Sequence, residues 1–186
     1  RFMHYLASLE KQTAKNATLI VTISEYSLEK MQQHYDVDAD KVRIVANGVD
    51  IEKFKPIDNF AATKHQFGLG NERCILFVGS LIPRKGLPFL VEAAKKVVAV
   101  HADTKFMVVG DGPLRGQIDD SLKAANLTNK FKFIKSAEED ELPTLYNLAD
   151  VFVLPSIQEG QGIVLLEAQA SGKPVVAFDI GGVKEA

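Results

Sequence analysis

The chain has 186 residues, 46% of them hydrophobic and 25% charged, with a formal net charge of −2. That length can bury a sizeable core, the make-up is that of an ordinary globular protein, and the near-neutral charge leaves no footprint for nucleic acid. No apolar run approaches the ~18 residues of a membrane span, the single cysteine, Cys74, excludes an internal disulfide, and the four histidines have no metal-ligand spacing.

A chain that opens on Arg1-Phe2-Met3-His4, with neither a start Met nor a signal-peptide layout, is expected to begin inside a longer protein. Leu19-Ile20-Val21-Thr22-Ile23 reads as a strand. Ser24, with Ser27 as the alternative, caps a helix of about a dozen residues. Val42-Arg43-Ile44-Val45 is a second short strand, and Asn47-Gly48 a turn. From Asp50 to about Asn71 the pattern loosens, punctuated by Pro56, Asp58, Asn59, Gly68 and Gly70, as an interdomain connection would be. A cleaner alternation follows. Strands are predicted at Cys74–Val78, Phe106–Val109, Phe131–Ile134, Val151–Leu154 and Val175–Phe178. Helices are predicted over about 86–100, 113–125, 139–148 and 163–171. The strands are near-continuous apolar runs, as parallel strands covered on both faces should be. The rhythm predicts an α/β, doubly wound parallel sheet. Cys74, at the head of one run, is expected to be a buried, reduced thiol.

In such sheets ligands bind beyond the carboxyl ends of the strands. Chemistry is therefore sought in the loops that start at Gly79, Gly110, Lys135, Pro155 and Asp179. The richest is Pro155-Ser156-Ile157-Gln158-Glu159-Gly160-Gln161-Gly162, which leads into a helix beginning Ile163-Val164. Free amides at a helix start, reinforced by the helix dipole, suit a diphosphate. Glu167 lies one turn in, and helical side chains lean toward the N-terminus. Its carboxylate suits ribose hydroxyls, and that of Glu159 suits sugar hydroxyls. The same residues also fit a plainer account, since acids near a helix start complement the dipole. The loop Gly79-Ser80-Leu81-Ile82-Pro83-Arg84-Lys85-Gly86 brings two cations to a helix entry, either as diphosphate ligands or as a solvated pair at a turn. Gly110-Asp111-Gly112-Pro113-Leu114-Arg115-Gly116 fails the dinucleotide fingerprint, because its third glycine comes one residue late. It reads as a turn with a proline-started helix.

Taken together, these residues resemble the family 4 retaining glycosyltransferases. Pro155-Ser156, Glu159-Gly160-x-Gly162 and Glu167, with seven residues between the two glutamates, match that family's Glu-x7-Glu motif. Also similar are Ala168-x-Ala170-Ser171-Gly172-Lys173-Pro174-Val175-Val176-Ala177, Gly181-Gly182, Gly79-x-Leu81-x-Pro83-x-Lys85-Gly86 and Gly110-Asp111-Gly112-Pro113. Upstream, Thr22-Ile23-Ser24 and Asn47-Gly48-Val49-Asp50 resemble the end of the family's first domain. The resemblance implies a GT-B fold of two Rossmann-like domains. Residues 1–52 would be the C-terminal part of the N-terminal, acceptor domain, 53–71 the connection, and 72–186 a donor domain truncated at its C-terminal end.

By the same resemblance, the chain is a fragment of a retaining hexosyltransferase, inactive alone, that uses a nucleotide diphosphate sugar and a glycan or lipid-linked acceptor. It would need no metal or other cofactor. Its setting would be cytoplasmic, or membrane-peripheral through the N-terminal domain. Lys85 and Glu159 are the expected catalytic residues. Lys85, with Gly79, Ser80 and Arg84, would meet the diphosphate, and the amides of Gly162, Ile163 and Val164 would hold phosphate and neighbouring sugar oxygens. Glu167 would hold the ribose, Glu159 the transferred sugar, and main chain near Ser136 and Ala137 the base. Three positions depart from the family pattern: Ser80 replaces a frequent Arg, Gln161 a frequent aromatic, and Lys135 a frequent Gly. The alternatives are a GT-B nucleotide-sugar epimerase or phosphorylase, or a non-catalytic sugar-nucleotide-binding module.

Overall fold

A computed structural model describes residues 2–57 and 61–186. Asp58 and Asn59, two of the residues expected to punctuate the connection, lie outside the described residues. The chain divides into two compact units. One comprises residues 1–48, 159–162 and 179–186, and the other 49–158 and 163–178. The sequence-based bounds counted 159–162 and 179–186 with the donor domain, whereas their contacts place them in the first unit.

In the first unit, α1 (Phe2–Asn16) leads to β1 (Ile20–Thr22), α2 (Glu25–Tyr35) and β2 (Val42–Ile44). The two strands pair in parallel, Ile20 opposite Val42. Ser24 is the cap of α2: extended at φ −159°, it accepts a bond from the Ser27 amide at 3.0 Å. The Glu185 carboxylate accepts from the next amides, Glu25 at 2.8 Å and Tyr26 at 3.0 Å. The N-terminus of α2 thus has its orphan donors met by side chains from two distant stretches of sequence. Asp36, left-handed at φ 57°, ends the helix.

The second unit holds α3 (Ala61–Gln66), β3 (Arg73–Val78), α4 (Leu87–Val100), β4 (Thr104–Val109), α5 (Arg115–Ala124), β5 (Phe131–Ile134), α6 (Leu142–Leu148), β6 (Val151–Leu154), α7 (Ile163–Ala170) and β7 (Val175–Ala177). All five strands are parallel, in the order β5-β4-β3-β6-β7. The apolar runs of β3, β4 and β6 carry the buried core, whereas the edge strands depart from the expectation of cover on both faces: β5 is half-buried throughout and Val176 on β7 is 58% exposed. Cys74, Leu76, Phe77, Met107, Val108, Phe152 and Leu154 are fully enclosed. On α4 the inward residues Leu87, Leu90, Val91 and Ala94 recur at helical spacing. Asp150 accepts a bond from the Cys74 amide at 2.7 Å, tying the start of β6 to β3.

Three local expectations change. Within the connection, Ala61–Gln66 is helical. Pro113 does not start α5, which begins at Arg115. The Leu114 amide is drawn to the Leu81 carbonyl at 3.0 Å, holding residues 112–114 in a turn. α6 begins at Leu142 rather than near 139. Residues 138–141 form a turn in which the Glu141 carboxylate accepts from the Glu138 amide at 2.9 Å.

Candidate functional site

In the sheet the chain runs outward from β3 through β4 to β5, then returns to place β6 on the other side of β3. The reversal lies between β3 and β6, and the crevice beyond their carboxyl ends is where such sheets bind ligands. Two of the loops singled out in the sequence leave from these ends.

The loop after β3 tightens into a 3-10 turn at Pro83–Lys85. It is fastened to the loop after β6 by main chain. The Ile157 amide donates to the Arg84 carbonyl at 2.8 Å, and the Arg84 guanidinium to the Gln158 carbonyl at 3.4 Å. Gly86 makes the junction possible. It is left-handed at φ 67°, and a Cβ there would lie 1.8 Å from the Pro155 carbonyl oxygen. On the other side the Leu81 amide donates to the Asp111 carbonyl at 2.9 Å. Gly110 permits that approach, since a Cβ would come 2.1 Å from the Gly79 oxygen. Lys85 folds back over the end of β3: its Cε is 3.8 Å from where a Cβ on Gly79 would stand. It is half-buried, while Arg84 and Ser80 are exposed. Gly79, Ser80, Arg84 and Lys85 are thus gathered into one laced loop at the switch point.

The second component is α7. Ile163 at its start is 45% exposed, while Leu165 and Ala168 face the core. The first turn of α7 carries no acid. Glu167 begins the second turn, so complementing the helix dipole does not account for it. Its Oε2 accepts a bond from the Tyr146 hydroxyl at 2.5 Å. Tyr146 is fully buried on α6, its ring 5.8 Å from Phe54 and 5.5 Å from Phe152. Burial, and then the charge of Glu167, push its phenol well above the ordinary range, so it remains a donor. Tyr146 was not among the residues picked from sequence. It stands in an apolar helix, and nothing local distinguishes it from a core aromatic.

Ser136 and Ala137 follow β5, which β4 separates from β3, so they stand farther along the sheet edge than the Lys85 loop. Ser136 is exposed and Ala137 half-buried. Lys135 pairs with Asp111 at 3.4 Å. The Asp111 carboxyl is held below its ordinary range by the Gly112 amide first and Lys135 second.

Glu159 and Gly162 belong to the first unit. There the Glu159 carbonyl accepts from the Gly182 amide at 3.2 Å. Gln161, at 2% exposure, accepts from the Asn47 amide at 2.9 Å through its Oε1. The residue that departs from the family pattern therefore holds its own loop to the end of the β2 segment. Among the described residues no cluster of three or more His, Cys, Asp or Glu could hold a metal ion, and no helix is long and apolar enough to cross a membrane.

Known proteins resemble this chain throughout its length. The model of the family Glycosyl transferases group 1 matches residues 59–186, and that of Glycosyltransferase Family 4 matches residues 1–53. An uncharacterized glycosyltransferase of Methanocaldococcus jannaschii is 33% identical over 188 residues, covering 98% of this chain and 46% of that protein. The Escherichia coli UDP-Gal:alpha-D-GlcNAc-diphosphoundecaprenol alpha-1,3-galactosyltransferase is 32% identical, covering 94% of this chain and 46% of that protein. The crystal structure of Anabaena HepE in complex with UDP-glucose matches with a TM-score of 0.88 at 25% identity, covering 96% of this chain and 50% of that one. The chain spans about half the length of the curated relatives it matches.

Proposed function

This chain belongs to the glycosyl transferases group 1 family, with a fold of the GT-B type. On that premise we propose that it forms the donor-nucleotide half of a retaining glycosyltransferase. The enzyme moves a hexose from a nucleotide diphosphate sugar to a glycan or lipid-linked acceptor. One observation carries the reading: the Lys85 loop is fastened to the loop after β6 at the switch point of the sheet.

The residues have distinct roles in this reading. Lys85 neutralises the diphosphate as it departs, with the largest effect where charge develops in the transition state. The amides of Gly162, Ile163 and Val164 bind its oxygens at the start of α7. Glu167 accepts from the ribose hydroxyls and Glu159 from those of the transferred sugar. Arg84 and the main chain of Gly79 and Ser80 frame the phosphates, and main chain at Ser136 and Ala137 meets the base. The new bond to the sugar forms on the face the diphosphate leaves. The names of the Escherichia coli relative and of the Anabaena complex both contain a uridine diphosphate sugar, which supports testing uracil donors first. The diphosphoundecaprenol in the former supports a lipid-linked acceptor.

The test uses the full-length protein. UDP, GDP and ADP are screened by thermal shift, because a ligand stabilises the native state by mass action. The corresponding nucleotide sugars are then supplied with glycan and lipid-linked acceptors, and the products are read by NMR. A glycoside with the donor's anomeric configuration is expected. Epimerised donor or sugar phosphate without glycoside overturns the reaction, and no thermal shift with any nucleotide overturns the donor site.

A further inference from the structure

We propose that Tyr146 is a positioning residue that gives the donor site its selectivity for an intact ribose, by fixing the Glu167 carboxylate; this rests on the donor-site reading above. A glutamate on a helix turns about three side-chain bonds, and ordering it to meet a ligand costs rotamer entropy. The 2.5 Å bond from the Tyr146 hydroxyl removes much of that freedom before any ligand arrives. The donor is itself held. Tyr146 has no exposed surface, and Phe54 meets it edge-on at an interplanar angle of 78°. Phe54 is also buried, and Phe152 closes another side of the ring. The phenol direction is thus fixed by packing, and the carboxylate direction by the phenol.

The arrangement leaves a defined set of acceptors. Tyr146 occupies one site on Oε2, while a carboxylate offers about four lone-pair sites. The remainder suit two neighbouring hydroxyl donors, the pattern of a ribose 2′,3′-diol. A site built to bond hydroxyls rejects the analogue that lacks them, because its polar group is then left unpaired. That rejection requires a carboxylate that cannot turn away to water, and Tyr146 is what holds it.

The experiment measures, on the full-length protein, the affinities of UDP, GDP and ADP and of their 2′,3′-dideoxy forms. Three proteins are compared: wild type, Tyr146→Phe and Glu167→Ala. Wild type should prefer the ribose forms. Tyr146→Phe should reduce that preference about tenfold or more, the scale of a bond to a charged group, with affinity for the dideoxy forms unchanged. Equal weakening of both forms, or no change in the ratio, overturns the proposal and leaves a purely packing role for the hydroxyl. Glu167→Ala should abolish the preference. If it does not, the ribose assignment of Glu167 fails first, and the two failures are thereby distinguished. Should Tyr146→Phe not fold, 3-fluorotyrosine at position 146 keeps both ring and hydroxyl. Its 19F resonance should move when the ribose form binds and stay when the dideoxy form binds; identical behaviour with both overturns the proposal.

Discussion

Gly86→Ala tests the junction on which the site is built. The added Cβ would lie 1.8 Å from the Pro155 carbonyl oxygen, where ordinary contact begins at 3.4 Å. The loops after β3 and β6 must therefore part by roughly 1.6 Å, which strains the bond from the Ile157 amide to the Arg84 carbonyl. A left-handed backbone adds about 1–2 kcal/mol for a residue with a Cβ. Forcing atoms into a packed junction adds about 1–3 kcal/mol. A loss of about 2–5 kcal/mol in unfolding free energy is expected, read by equilibrium guanidinium denaturation. Because Lys85 precedes Gly86, the displacement should also weaken nucleoside diphosphate binding, measured by calorimetry at a temperature where the variant is folded. Gly116→Ala is the control: beyond its chain neighbours and its own helix's backbone, nothing lies within 4 Å of where its Cβ would stand, and the position is helical. It should leave stability unchanged or raise it by up to about 1 kcal/mol. If Gly86→Ala unfolds within 1 kcal/mol of wild type and binds nucleotide as well, the close junction is wrong.

Other perturbations probe separate parts. Lys85→Ala should weaken nucleoside diphosphate binding about 10- to 150-fold, the loss of one charge-assisted partner, and calorimetry showing unchanged affinity would remove Lys85 from the diphosphate site. Burial, with the Asp150 charge second, pushes the Cys74 thiol up to about 12 from 9.0. A pKa raised by folding means the unfolded state loses its proton first. The associated stability is therefore intact below about pH 9 and is lost as pH rises toward about 12. Cys74→Ala should flatten that part of the stability–pH curve, and in wild type a thiol reagent at pH 8 should label Cys74 only on unfolding. Asn147, 4% exposed, accepts from the Ile57 amide at 3.0 Å and donates to the Lys55 and Pro143 carbonyls at 2.9 Å each. Asn147→Leu should cost about 2–3 kcal/mol and speed hydrogen exchange at the Ile57 amide; unchanged exchange would mean that this contact does not hold the segment.

Much of the second unit was legible because its central strands, β3 and β4, are buried on both faces. A run such as Cys74–Val78 needs no partner to be recognised, and Ser24 is recognisable as a cap from its neighbours alone. α3 was not legible: six residues, Ala61–Gln66, are too few to display a helical period. The start of α5 was misplaced because Pro113 marks a helix entry locally, while the Leu81 carbonyl, far off in sequence, takes the Leu114 amide and holds the turn open.

The candidate site divides along the same line. Residue order alone shows that Lys85 follows one buried strand and that Glu167 lies in the helix after another, because local spacing reports which residues are covered and where elements end. It cannot report what covers them. That β3 and β6 are neighbours, that Gly86 sits against Pro155, that the 159–162 segment groups with the first unit, and that a core tyrosine holds Glu167 were decided by tertiary packing. Each depends on the distance between residues far apart in the chain, and hydrophobic periodicity carries no record of that distance.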